Sequence, residues 1–170
     1  MNLMTIGEHI AQHQILGVNR AGGASYAVDI GGTGASHTGT TGEVTLATVT
    51  LPAGIMGTNG LLRVTSFWTY TNVGGGTRTP RVKFGGSTIA GNANANTVLS
   101  QSLLGLVNNK TAATQTATGL GSAAGIGAST ATSFALTVDT TAAVTILLTG
   151  QLSNAADTIA LDRYIIEVIK

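Results

Sequence analysis

The chain has 170 residues, no cysteine, 24 glycines, two prolines and only 9% charged residues, with eight basic side chains against seven acidic ones. A net charge of +1 argues against nucleic acid as the main partner, because phosphate binding needs a basic footprint. A hydrophobic content of 43% excludes a wholly disordered chain, and without a disulfide the fold must hold by packing or assembly. Soluble domains carry about 25% charge, so this surface is unusually poor in it. The length suits one domain and an arm.

Residues 1–42 read as an N-terminal arm. Thr5-Ile6-Gly7-Glu8 has the form of a capping box, in which a threonine oxygen and a glutamate satisfy the first amide donors of a helix. Ile6 and Ile10 would share one face of that short helix, which ends near Gly17. From Arg20 to Gly42 the chain is mostly Gly, Ala, Ser and Thr. Such a stretch cannot bury enough surface to order itself, so the arm is expected to lie against another molecule. Ile6, Ile10, Ile15, Leu16 and Tyr26 are its expected contacts. Met1–Gly17 does not read as a secretory signal, being interrupted by Glu8, His9 and His13. The longest apolar run, Ala142–Leu148, is too short to span a bilayer. The sequence therefore predicts a soluble chain with no membrane partner.

From Glu43 onward the apolar period is two. Leu62, Val64, Trp68 and Tyr70 alternate with Arg63, Thr65, Thr69 and Thr71, with Phe67 the one exception, and Pro80, Val82 and Phe84 alternate with Arg81 and Lys83. With the glycine-rich loop Asn72–Thr77 between them, the two runs predict a hairpin with Trp68 opposite Val82. Pro80 cannot donate to a ladder, so its strand is expected at an edge or with a bulge. Thr97–Val107 is apolar on both faces in part. Ala112–Thr132 reads as a strand followed by a long loop. Ser133–Asp139 alternates with Phe134, Leu136 and Val138 inward, and Ala143–Leu152 with Val144, Ile146, Leu148 and Leu152 inward. Ile159–Ile169 is apolar on both faces, and a two-sided strand needs cover on both. The pattern predicts an all-β, antiparallel jelly-roll-like sandwich over residues 43–170, preceded by the extended arm with its short helix.

Motifs that carry chemistry are few. Asp29-Ile30-Gly31-Gly32-Thr33-Gly34 looks like the first phosphate loop of actin-like sugar kinases, but no helix follows it and the next residues are strand-like. The pairs Gly119-Leu120-Gly121 and Gly125-Ile126-Gly127 lack the strand–helix setting of a dinucleotide site and read as turns. His9 and His13 stand four apart without a clear third metal ligand, which favours a structural or interface role. No triad assembles, and the acids Glu43, Asp139, Asp157, Asp162 and Glu167 are scattered near strand ends. No enzyme, cofactor or metal site is expected. Arg63, Arg78, Arg81 and Lys83 hold half the basic residues, either as a patch for an anionic partner or as a solvated sheet face with charges that block aggregation. Asn109-Lys110-Thr111 matches a glycosylation sequon by coincidence.

Leu51-Pro52-Ala53-Gly54, Gly57-Thr58-Asn59-Gly60-Leu61-Leu62-Arg63-Val64, the stretch from Trp68 to Asn72, Arg81-Val82-Lys83-Phe84-Gly85-Gly86 and the C-terminal Ile159–Val168 together resemble small tailed-phage virion proteins. That resemblance covers most of residues 43–170. It implies a jelly roll that trimerises, as in capsid decoration (cement) proteins and in the heads of fibres and tail spikes. The implied partners are the chain itself as a homotrimer and a major capsid or other virion protein, on the capsid surface. Ile159, Leu161, Tyr164, Ile166 and Val168 are then the expected trimer contacts. The alternative is a fibre tip that binds a host receptor or glycan through Trp68, Tyr70 and the basic hairpin.

Overall fold

A computed structural model describes residues 25–32, 34–118 and 133–170. Eleven strands lie among them: β1 (Ser25–Gly31), β2 (Ala35–His37), β3 (Val44–Leu51), β4 (Leu61–Thr71), β5 (Arg78–Phe84), β6 (Ser87–Gly91), β7 (Ser100–Thr111), β8 (Thr114–Thr118), β9 (Phe134–Leu136), β10 (Val144–Leu152) and β11 (Thr158–Ile169). They form two antiparallel sheets. The larger runs β1-β11-β4-β7-β8-β9, with β2 also paired to β11, and the smaller runs β3-β10-β5-β6. If β2 and the β8–β9 extension are set aside, eight strands remain. Numbered afresh in chain order, they run 1-8-3-6 in one sheet and 2-7-4-5 in the other, which is a jelly-roll-like order.

Thr and β-branched residues at alternate positions suit these pleated, one-sided surfaces. On β4, Leu62, Val64, Trp68 and Tyr70 point inward, and on β10 Val144, Ile146, Leu148 and Leu152 face them with Val82 and Phe84 of β5. Trp68 is buried and its indole N–H donates to Ser66 Oγ at 2.8 Å, so the inward polar atom has a partner.

The expected hairpin does not form. β4 pairs with β11 and β7, whereas β5 pairs with β10 and β6, so Trp68 and Val82 sit in opposite sheets with both side chains in the core. Period two fixes which face of a strand is buried and leaves its neighbour open, and the loop Asn72–Thr77 crosses between sheets. Pro80 is not on an edge strand. The other half of the expectation is met, because the pairing of β5 with β6 shifts register between Val82 and Lys83. The Pro80 carbonyl accepts from Asn92 N at 3.4 Å just beyond β6, and Arg78 pairs with Asn94 past it. Phe134 is partly exposed on the short strand β9, while Leu136 is buried and Val138 packs against the core.

The boundary expected at residue 42 falls after two strands of the larger sheet. β1 pairs with β11 from Ser25↔Ile169 to Gly31↔Tyr164, and β2 pairs with the start of the same strand. A seam of specific contacts holds β1 in place. Tyr164 Oη donates to the buried Asp29 carboxylate at 2.9 Å, and the Tyr164 ring lies so close to Gly31 that a Cβ there would sit 2.3 Å from it. Glycine is required by that approach. The helix expected near Thr5–Gly17 lies outside the described residues.

Candidate interaction surface

Both ends of the sandwich are tied by buried polar groups. At one end the loop after β4 wraps the Asp157 carboxylate. Val73 N and Gly74 N donate to Oδ1 at 2.8 and 2.7 Å, and Gly76 N donates to Oδ2 at 2.9 Å. The Arg78 guanidinium lies 3.7 Å from the same carboxylate and donates to the carbonyls of Ala95 and Val98 at 2.7 and 3.0 Å. It also stacks over the Tyr70 ring, 5.6 Å from the centroid. Tyr70 Oη in turn donates to Gln101 Oε1 and accepts from Asn94 Nδ2, both at 3.0 Å.

Burial opposes ionisation of Asp157, but the amides of Gly74, Val73 and Gly76 and the charge of Arg78 outweigh it and hold its carboxyl below the ordinary value. Burial pushes the Tyr70 hydroxyl up. At the other end, Gln115 Nε2 donates to Asn109 Oδ1 and to Val138 O, both at 2.9 Å. Asn109 Nδ2 donates to Gly57 O and to Thr140 Oγ1. Asn109 is fully buried, so the sequon side chain is a structural tie.

These four basic residues are dispersed, and each lies beside a carboxylate. Arg78 is inside. Arg63 pairs with Glu167 at 2.7 Å on the outer face of the larger sheet. Lys83 and Arg81 meet Glu43 at 2.6 and 3.5 Å on the smaller sheet. Glu43 is held below the ordinary carboxylate range by its bond from Lys83, then by Thr149 and the nearby charges. Four cations close in sequence thus occupy three environments, and no common patch forms among them.

The five residues expected at a trimer contact are also placed elsewhere. Ile159, Leu161, Tyr164, Ile166 and Val168 are all buried in the chain's own core, facing the second sheet. The two-sidedness of Ile159–Ile169 arises because β11 is a central strand whose opposite side chains reach the outer face. Of the expected arm contacts, Ile6, Ile10, Ile15 and Leu16 lie outside the described residues, as do His9, His13 and both Gly-x-Gly pairs. Tyr26 lies on β1, with its side chain outside the description. Asp29 of the kinase-like loop is on a strand that leads to another strand, and its carboxylate is engaged by Tyr164.

Instead, the register brings apolar residues together on the outer face of the larger sheet. Ile30 lies opposite Ile165, Ile165 opposite Thr65, and Thr65 opposite Leu104, in one row across β1, β11, β4 and β7. The next row is Glu167, Arg63 and Leu106, and beyond it Ile169 lies opposite Leu61. On the other side of the Ile165 row, Phe67 stands between Arg163 and Ser102. Ile30 is 56% exposed and Phe67 40%, and the other aliphatic side chains here are half-buried. Alternation marks an outer side only on β4, since β7 and β11 read as apolar on both faces and Ile30 falls in the expected arm. The alignment of these positions into one patch depends on strand order, which periodicity does not carry. The smaller sheet ends in a shallow depression of about 360 Å³ lined by Thr41, Thr77, Thr79, Gln151, Leu152 and Ser153. Among the described residues no cluster of three His, Cys, Asp or Glu side chains is placed to hold a metal ion.

No protein-family description matches the chain, and no curated protein matches it. Among solved structures it is similar to the insecticidal delta-endotoxin Cry8Ea1 of Bacillus thuringiensis (11% identity, 77% of this chain, 18% of that one, TM-score 0.37). It is also similar to the CBM36-1 domain of a multidomain xylanase from the hindgut metagenome of Trinervitermes trinervoides (13% identity, 85% of this chain, 96% of that one, TM-score 0.36). A third likeness is to infectious bursal disease virus, Gt strain (12% identity, 88% of this chain, 33% of that one, TM-score 0.37). The chain spans less than a fifth of the delta-endotoxin and a third of the viral chain. At these scores the likenesses carry no functional argument.

Proposed function

We propose that this chain is a non-enzymatic structural subunit of a tailed-phage particle, a capsid decoration or cement protein that stabilises the head shell as a homotrimer. The observation that carries the reading is the outer face of the larger sheet. It joins Ile30, Ile165, Leu104, Leu106, Leu61, Ile169 and Phe67, and its Arg63–Glu167 pair is internally neutralised. Exposed apolar patches of this kind mark interaction sites. A chain with 9% charged residues has little else on its surface to keep it apart from neighbours. The jelly-roll-like order and the resemblance of the loop and strand residues to virion proteins support the same reading. The attachment segment then lies before β1, where Ile6, Ile10, Ile15 and Leu16 supply the apolar contacts to the shell.

The alternative of a glycan-binding fibre tip is weaker on the residues first considered for it. Trp68 and Tyr70 are core residues, and the lining of the hydroxyl-rich depression contains no aromatic side chain on which a sugar ring would stack. The test is co-sedimentation of the purified full-length chain with phage shells that lack it. Saturable binding, lost on deletion of residues 1–24, supports the decoration reading, and failure of the intact chain to bind shells overturns it.

A further inference from the structure

We infer that the outer face of the larger sheet is a self-association surface whose occupant is a second copy of this chain, an inference that rests on the structural-subunit reading above. Size is the first argument. Strands about 4.8 Å apart with a rise of about 3.3 Å per residue give the four strands β1, β11, β4 and β7, over an eight-residue span, roughly 500 Å² in projection. That is the larger part of the ~800 Å² per partner that a specific interface covers. The flanking outward residues of β8 and of the sheet ends, among them Thr116 and Thr69, supply a polar rim of the usual kind.

Charge is the second argument. The ionic groups of the face, Arg63 with Glu167 at its centre and exposed Arg163 and Asp162 beside Phe67 and Thr69, sum to no net charge, and Arg63 Nε and Nη2 both meet Glu167 Oε2 at 2.7 Å. A face that satisfies its own charges offers no sign to an acidic or basic partner, whereas an identical face needs none. Chemistry is the third. The patch carries Ile, Leu and Phe at alternate positions of adjacent strands, the same pattern with which the two sheets of this chain already pack on each other. Residues that serve one sheet-on-sheet contact inside the chain are equally suited to a second one between copies. Ile165, flanked by Ile30 on one side and by Thr65 and Leu104 on the other, is at the centre of the face.

The test is the solution mass of the full-length chain by sedimentation and light scattering across a concentration series. The wild type is expected to self-associate: a trimer upholds both this inference and the homotrimer proposed above, whereas a two-fold dimer upholds the inference and removes the homotrimer. Ile165→Lys with Leu104→Lys is expected to raise its dissociation constant by about 30-fold or more, as loss of a central contact does. Because lysines on a sheet face also weaken the fold, Ile165→Thr with Leu104→Thr is measured beside it, since threonine suits a strand and removes the apolar contact. Val73→Lys, on a loop residue that is 72% exposed and away from the face, should leave the mass unchanged. A wild-type monomer at high concentration, or an oligomer unchanged in the folded threonine variant, overturns the inference. Shell binding by a monomeric wild type would uphold attachment to the particle while removing the homotrimer from the proposed function, so the two failures are distinguishable.

Discussion

The Asp157 carboxylate lies 3.7 Å from the Arg78 guanidinium, and neither side chain has any solvent exposure. Three backbone amides of the loop Val73–Gly76 complete the shell of the carboxylate. Removing one partner of a buried pair leaves the other charge without compensation, which costs about 3–5 kcal/mol. Asp157→Ala is therefore expected to lower stability by about 3 kcal/mol or more, with Asp157→Asn intermediate because its side chain can still accept from the loop. Urea unfolding followed by the fluorescence of buried Trp68 measures this. A loss below about 0.5 kcal/mol, the range of an ordinary surface substitution, would remove the pair from its structural role.

The seam between β1 and β11 makes a second prediction. Gly31→Ala places a methyl group against the Tyr164 ring, and overpacking of this kind costs about 1–3 kcal/mol. Tyr164→Phe deletes the donor to Asp29, a loss of about 1 kcal/mol. Deleting residues 1–42 removes β1 and β2 together and bares one side of β11, so that truncation should unfold or aggregate the sandwich. Thermal melts of the three variants check the order. A 43–170 fragment as stable as the full chain would show that the first two strands are dispensable.

Stability should fall at both ends of the pH scale for different reasons. Asp157 and Glu43 have folded-state pKa values below the ordinary carboxylate range, so their contribution is present above that range and is lost as pH falls through the lowered values. Tyr164 behaves oppositely. Burial, then its bond to Asp29 and the charge of that residue, pushes its hydroxyl up to about 12. The unfolded chain ionises its tyrosines near the ordinary value of about 10, so this contribution is intact below pH 10 and is lost as pH rises towards 12. Melting temperature against pH should show a flat centre, with losses below about pH 4 and above about pH 10. Absorbance of tyrosinate should show at least one group titrating late. A melting temperature unchanged above pH 10 would contradict the burial of Tyr164.

Much of the fold was legible in the residues. The inward sets of β4, β5 and β10 follow directly from alternation, and Ile159–Ile169 stood out as a strand needing cover on both sides. Pairing was not legible. Leu62–Tyr70 and Pro80–Phe84 share a period and a short connection, yet the connection closes around Asp157, about 80 positions later, and carries the chain to the other sheet. The same distance hides the tie between Asn109, Gln115 and Val138, where single polar residues in strand patterns give no hint of their partners. Ser25–Gly31 sits in the stretch Arg20–Gly42 that looked too poor in apolar surface to order itself, because its order comes from β11. The interaction face was missed because its members are spread over four strands, and only Phe67 broke the alternation visibly. The cations, close in sequence, offered either a common patch or a solvated sheet face, and Arg63, Arg81 and Lys83 take the second while Arg78 is buried.

The role proposed for the chain is tested most directly by locating it in an intact particle. Cryo-electron microscopy of purified phage, with the copy number measured by quantitative mass spectrometry, gives both position and abundance. A decoration subunit appears as many copies spread regularly over the shell, grouped about three-fold axes, with the segment before β1 directed to the capsid. A few copies confined to the tail, or none in the particle, would contradict it.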